Sequence, residues 1–187
     1  MQPAPPLQPT LGRTCRALAN RTRLRLFASL AQQPGQTVDA LAQGVGIPPA
    51  VTSQYLRRLE ARGLLTAERV GRRVKYRPSE APNSSNMSGL AAALVRSFRG
   101  GANPVESLFK LATAFTHPRR TELFGLVSRQ PHTAVELRAV TKMSSWGLAR
   151  HLRKLESRGI IAREGQRYGA VKPPSEVRRE LARLAVR

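Results

Sequence analysis

The feature that most constrains this 187-residue chain is that it repeats itself. ALANRTRLRLFASLAQQP (residues 17–34) returns as AFTHPRRTELFGLVSRQP (114–131), and YLRRLEARGLLTAE (55–68) returns as HLRKLESRGIIARE (151–164). One residue of gap brings both blocks into a single register. Shared positions include Arg23/Arg120, Leu26/Leu123, Phe27/Phe124, Pro34/Pro131, Leu41/Leu137, Leu56/Leu152, Leu59/Leu155, Glu60/Glu156, Arg62/Arg158 and Gly63/Gly159. Two collinear blocks argue for two copies of one domain of about 70 residues. The expected division is a first domain over 11–78, a linker and connecting helix over 79–103, and a second domain with a C-terminal helix over 104–187. The segment 78–88, PSEAPNSSNMS, is rich in Pro, Ser and Asn and reads as linker or turn. After it, residues 87–99 carry an apolar helical pattern at Leu90, Leu94 and Phe98, ended by Gly100-Gly101. A further helix is expected from about Pro104, with Pro in its first turn.

Within the first copy, Asn20 is placed to cap a helix bearing Leu24, Phe27, Ala28 and Leu30, which stops at Gln33-Pro34-Gly35. Thr37 caps a short second helix over 38–43, and Gly44-Val45-Gly46-Ile47 reads as a tight turn. A third helix starts at Pro48 or Pro49 and runs to Arg62, with Gly63 at the C-terminal position that needs positive φ. The periodicity then changes from 3.6 to 2. Residues 64–70 and 73–77 read as two strands joined at Gly71-Arg72. The second copy predicts a shorter hairpin, 160–163 and 167–171, turning near Glu164-Gly165-Gln166. Two helices around a Gly-containing turn make a helix-turn-helix, and the hairpin after the second of them is a wing. The fold class expected is mainly α with small β-wings: two tandem winged helix-turn-helix domains.

The runs ALANRTRLRLFASL, TVDALAQGVGI and VTSQYLRRLEARGLLTAERVGRRVKY resemble winged helix-turn-helix regulators of the ArsR type. The second half, TAVELRAVTKMSSWGLARHLRKLESRGIIARE, matches that pattern less fully. The resemblance covers roughly residues 11–78 and 104–172. It implies a DNA-binding transcriptional regulator, usually a repressor, that dimerises through terminal helices. Recognition helices would then reach successive major grooves about 34–36 Å apart. Here both copies lie in one chain. The helices at 12–18, 87–99, 105–115 and 176–186 are expected to form a shared interface, giving an intramolecular pseudo-dimer. A homodimer presenting four winged helices is the alternative.

Charge points the same way. Lys and Arg total 32 against 11 acids, for a net charge of +21, and 27 of the 32 are Arg. With 41% hydrophobic residues the chain can still build cores. A folded polycation of this kind calls for a polyanion, with double-stranded DNA ahead of an anionic membrane surface. On the third helix Thr52, Leu56 and Leu59 face inward, leaving Ala50, Ser53, Gln54, Arg57 and Arg58 outward. On its counterpart Leu148, Leu152 and Leu155 face inward, leaving Ser145, Trp146, Ala149, Arg150, Arg153 and Lys154 outward. Gln54 suits adenine and Arg150 suits guanine, while Arg57, Arg58, Arg153 and Lys154 suit phosphates. The first wing adds Arg69, Arg72, Arg73, Lys75 and Arg77, and the second adds Arg167. Trp146 has two readings, a base-stacking wedge or a packing residue.

Other chemistries are demoted. One cysteine, Cys15, permits no intrachain disulfide and no Cys-based zinc site. It reads as core filler, with a redox switch as the alternative. Metal-sensing members of the resembled family use Cys pairs, or His with Asp or Glu, on particular helices. Here 38–43 has no Cys, 87–99 has neither His nor acid, and His117, His132 and His151 are scattered. No phosphate-binding Gly loop, HExxH or Ser/His/Asp grouping occurs, so neither a cofactor nor an enzymatic activity is expected. No secretory signal and no run of 18 apolar residues is present, which predicts a cytoplasmic, nucleoid-associated protein. An architectural DNA-binding protein with little sequence preference is the competing function, because phosphate contacts dominate non-specific affinity.

Overall fold

Short polar side chains cap four of the helices, those begun by Asn20, Thr37, Thr133 and Ser144, and the core face of each helix follows from the apolar spacing. The computed structural model describes residues 10–79, 87–100 and 104–186. It opens with α1 (Leu11–Leu18). Asn20 Oδ1 accepts from the Arg23 N–H at 2.9 Å and begins α2 (Arg21–Gln32). Strand β1 (Gln36–Thr37) is two residues long, and the Thr37 hydroxyl then caps α3 (Val38–Val45). Helix α4 (Pro49–Glu60) follows, then β2 (Leu65–Val70) and β3 (Arg73–Pro78). After α5 (Ser88–Arg99) the same order returns: α6 (Val105–Ala114), α7 (Pro118–Arg129), β4 (His132–Thr133), α8 (Ala134–Thr141), α9 (Ser145–Glu156), β5 (Ile161–Glu164), β6 (Arg167–Ala170) and α10 (Glu176–Val186). Each run contains a three-stranded antiparallel sheet, ordered β1-β3-β2 and β4-β6-β5. The fold is mainly helical with small wings, in two winged helix-turn-helix units.

Several boundaries differ from the sequence expectation. Helix α3 continues to Val45 and ends on Gly46 at φ +73°, so the turn is shorter than the four residues read from the glycines. Helix α4 stops at Glu60 rather than Arg62, and Gly63 takes φ +68° two residues beyond the C-cap Ala61. The two-residue strands β1 and β4 were not expected; they pair with Tyr76 and Lys75, and with Tyr168 and Arg167. Pro78, read as the start of a linker, is buried and pairs with Leu65 at the end of the sheet. Most of the 78–88 linker, and Gly101, lie outside the described residues.

One position breaks the repeat in an informative way. Where the first unit has Gly46, the second has Lys142 at φ +55°, the one non-glycine with positive φ among the described residues. A side chain carrying Cβ costs roughly 1–2 kcal/mol in this conformation. Replacing Lys142→Gly is expected to raise unfolding free energy by about 1 kcal/mol, read as a higher denaturant midpoint at unchanged slope.

Leu24, Leu26, Phe27 and Leu30 of α2 are fully buried with Leu41, Leu56 and Leu59; Leu123, Phe124, Leu137, Leu152 and Leu155 do the same work in the second unit. The two units meet through corresponding helices. Helix α1 packs on α6, and α5 packs on α10. Gly89 lies so close to α10 that an added Cβ would meet the Glu180 carboxylate at 2.7 Å. Helix α2 also touches α5 and α6, with Phe27 and Phe98 rings 6.0 Å apart. Two exposed ion pairs bridge the seam: Arg21 with Glu106 (Nη2–Oε2 2.9 Å) and Arg96 with Glu176 (Nε–Oε2 2.7 Å). Arg21 also lies 3.9 Å from the centroid of Phe109. Exposed pairs contribute little, so the apolar seam carries this contact. Cys15 is completely buried in α1, where desolvation pushes its thiol up to about 12. That environment is the core-filling one; a redox switch needs an accessible thiolate.

Candidate nucleic-acid interface

The shared arginines lock the first two helices of each unit together. Arg23 Nε donates to Ala17 O and its Nη2 to Arg16 O, while Arg120 Nε donates to Ala114 O (2.6 Å) and its Nη2 to Thr113 O (3.1 Å). In both units the guanidinium satisfies carbonyls at the C-terminus of the preceding helix, where a cation is favoured. Arg23 also lies 5.3 Å from the ring centroid of Tyr55 on α4. Arg23 therefore ties α2 to α1 and lies against α4, and Arg120 ties α7 to α6; they are positioning groups. The repeat exposed them as invariant between the copies, yet only the structure shows what they bind.

Helices α4 and α9 each bury one face and leave the other open. Thr52, Leu56 and Leu59 are buried, and the Thr52 hydroxyl donates back to Pro48 O at 3.1 Å. Ala50, Gln54, Arg57 and Arg58 are exposed, with Ser53 half-buried. On α9, Leu148, Leu152 and Leu155 are buried, as is His151. Ser145, Trp146, Ala149, Arg150 and Arg153 are exposed, and Lys154 is half-buried. Ser144 caps α9 by accepting from the Gly147 N–H. Trp146 is 69% exposed, with the Arg150 guanidinium 5.0 Å from its ring centroid. The packing reading of Trp146 is thereby overturned: too little of the ring is covered for it to serve the core, and its indole is open to solvent.

The first wing distributes its charge on two faces. Leu65, Tyr76 and Pro78 are buried, and strand alternation places Arg69 and Val74 on that same side. Arg73, Lys75 and Arg77 share the opposite side with Thr66, Glu68 and Val70. Arg72 sits at the tip, beside Gly71 at φ +62°. All five cations are exposed, and among the described residues none forms an ion pair within 4 Å, even though Glu68 lies across from Lys75. The second wing is different. Arg167 Nη1 donates to Pro131 O at 3.0 Å and its Nη2 lies 3.6 Å from Glu136 Oε1, so the sheet edge already engages it. Glu136 also closes a capping box with Thr133.

Two of the three histidines, separate along the chain, meet in the fold, while His132 stays apart in β4. His117 and His151 come together with ring centroids 4.6 Å apart. His117 caps α7, its Nδ1 accepting from the Arg119 N–H at 3.2 Å. Among the described residues no group of three or more His, Cys, Asp or Glu is placed to hold a metal ion, and no helix is long and apolar enough to cross a membrane.

Paired helices, an outward helix free of acids over its exposed face, and a hairpin beside it define a winged helix-turn-helix protein. Residues 18–68 match the family model described as "Helix-turn-helix domain". Over 78 residues the chain is 37% identical to the HTH-type transcriptional repressor SmtB of Mycobacterium tuberculosis, in both strains CDC 1551 / Oshkosh and ATCC 25618 / H37Rv. That match takes in 40% of this chain and 57% of the repressor, so the chain spans little more than half the length of the curated relatives it matches. The resemblance to ArsR-type regulators read from the sequence is supported by both findings.

Proposed function

We propose that this protein is a transcriptional regulator, a repressor, that binds double-stranded DNA with two recognition helices and basic wings presented by an intramolecular pseudo-dimer. The observation that carries the reading is the pairing of corresponding helices, α1 with α6 and α5 with α10. In this reading each half supplies what a second subunit supplies in a dimeric regulator. The chain divides into the units 11–78 and 104–187, joined through α5. Helix α4 offers Ala50, Ser53, Gln54, Arg57 and Arg58 to one major groove. Helix α9 offers Ser145, Trp146, Ala149, Arg150, Arg153 and Lys154 to the next. Arg69, Arg72, Arg73 and Lys75 meet phosphates or the minor groove. Arg167 plays a lesser part because Glu136 and Pro131 O already hold it.

Because Gln54 and Arg150 occupy corresponding positions, the preferred site is asymmetric. Selection of bound duplexes from a random pool tests this. A defined asymmetric sequence, bound at least about 10³-fold more tightly than random duplex, is the expected result. The net charge of +21 favours a second reading, an architectural protein in the nucleoid, for which that ratio is near one. A perfect palindrome protected by two chains would replace the pseudo-dimer with a homodimer.

A further inference from the structure

The second unit contains a cleft lined by basic side chains. It has a volume of about 690 Å³ and lies between the start of α7 and one flank of α9. Its lining comprises His117, Arg120, Arg150, His151, Arg153, Lys154 and Ser157. No acid is among them. His151 is 6% exposed, and its Nδ1 is buried with no hydrogen-bond partner. The first unit carries Asn20 where this one has His117, and Tyr55 where it has His151, so neither histidine has a histidine counterpart.

A ring of cations without a neutralising carboxylate is an anion site in chemical terms, and guanidinium with ammonium suits the tetrahedral oxygens of a phosphate group. We propose that this cleft binds a phosphate group, supplied by a duplex backbone or by a free phosphate compound, and that occupancy is coupled to protonation of the His117–His151 pair. The duplex arm rests on the function proposed above; the free-phosphate arm does not.

The coupling follows from what faces the pair. His117 looks onto Arg119 and Arg120 of its own helix, Arg150 of α9 and Arg16 of α1. His151 faces His117, Arg119, Arg120 and Arg150. Burial first, and these positive neighbours second, hold both imidazoles below the ordinary histidine value. Lys154 is lowered in the same way by burial, Arg158 and Arg120. While His117 Nδ1 accepts the capping bond of α7 it carries no proton there, and a second imidazolium 4.6 Å away is unfavourable. His151 is therefore the ring that takes one proton from solvent. A phosphate anion in the cleft offsets part of the positive field of Arg120, Arg150, Arg153 and Lys154 and raises that value. The sign is then fixed: affinity is highest at low pH and is lost as pH rises through the raised value of the complex.

Ring-proton NMR of the full-length protein tests this, with sodium pyrophosphate and a duplex of about 20 base pairs as probes. The companion variant is His117→Asn/His151→Tyr, which installs the residues of the first unit and so preserves the cap. The expected result is that duplex or pyrophosphate shifts the His117 and His151 ring signals. Affinity for the probe that binds falls about 10-fold between about pH 5.5 and 7.5 in the parent, and stays level in the variant. Shifts with duplex alone assign the site to the backbone; shifts with both show that a free phosphate compound competes for it. A duplex that binds without moving either ring overturns the phosphate site and leaves the DNA-binding reading intact. Ring shifts with pyrophosphate in a protein that binds no duplex do the reverse. Full pH dependence in the variant overturns the coupling. Should the variant not fold, the parent's ring signals alone decide.

Discussion

Replacing Arg72, Arg73 and Lys75 together by alanine will weaken binding to every duplex by about 10²-fold at roughly 0.15 M salt. The first wing holds these three side chains exposed and free of ion pairs among the described residues, so nothing in the fold loses a partner when they go. Each phosphate neutralised contributes about 0.9 to the slope of log affinity against log salt, so the triple variant's slope should flatten by nearly three. Gel-shift titrations over a salt series measure both quantities. The contrast is Arg150→Ala on α9. If Arg150 reads a guanine edge, its loss relaxes choice at one base position by about 1–3 kcal/mol and flattens the salt slope by no more than about one. Equal losses on all sequences from both variants would remove the division between reading and anchoring residues.

Phe27→Ala will lower unfolding free energy by about 3–5 kcal/mol, a large share of the 5–15 kcal/mol typical of a native protein. The ring is fully buried on α2, and Phe98 on α5 lies 6.0 Å from it. Because α5 in turn packs on α10, the cavity would open where the first helix-turn-helix meets the seam between units. The matching residue, Phe124, is 5% exposed and stacks edge-on against Phe115 at 5.4 Å. It belongs to the other unit, so Phe124→Ala provides an independent comparison. Equilibrium denaturation gives the change; a loss under about 1 kcal/mol for Phe27→Ala would mean that the neighbouring side chains collapse into the space.

What the sequence made legible was local. Asn20 and Thr37 cap the helices expected of them because a cap needs only a short polar side chain three residues from a free N–H. Leu56 and Leu59 face the core because 3.6-residue periodicity leaves no other arrangement. The Gly71-Arg72 turn falls between Val70 and Arg73 as read. Strands β1 and β4 were hidden, since two residues carry no period; their pairing is decided by where β3 and β6 arrive. The histidine pair was hidden for a different reason. His117 and His151 are 34 residues apart, and only the packing of α7 against α9 brings them together. A signal was nevertheless available: the repeat aligned both with residues other than histidine, Asn20 and Tyr55. Arg167 was read as one more wing cation because charge alone does not reveal that Glu136 stands beside it.

The seam built from α1, α6, α5 and α10 joins two halves already held by peptide bonds. Subunits that must first find each other respond to the square of their concentration when dilute, and exchange partners freely. If the chain binds as the proposed pseudo-dimer, it has no such threshold: occupancy of a site would follow a plain hyperbola, and binding would need no pairing with a related protein. Since its two ends are chemically distinct, it would also sit on a duplex in one orientation, giving the bound complex a left and a right.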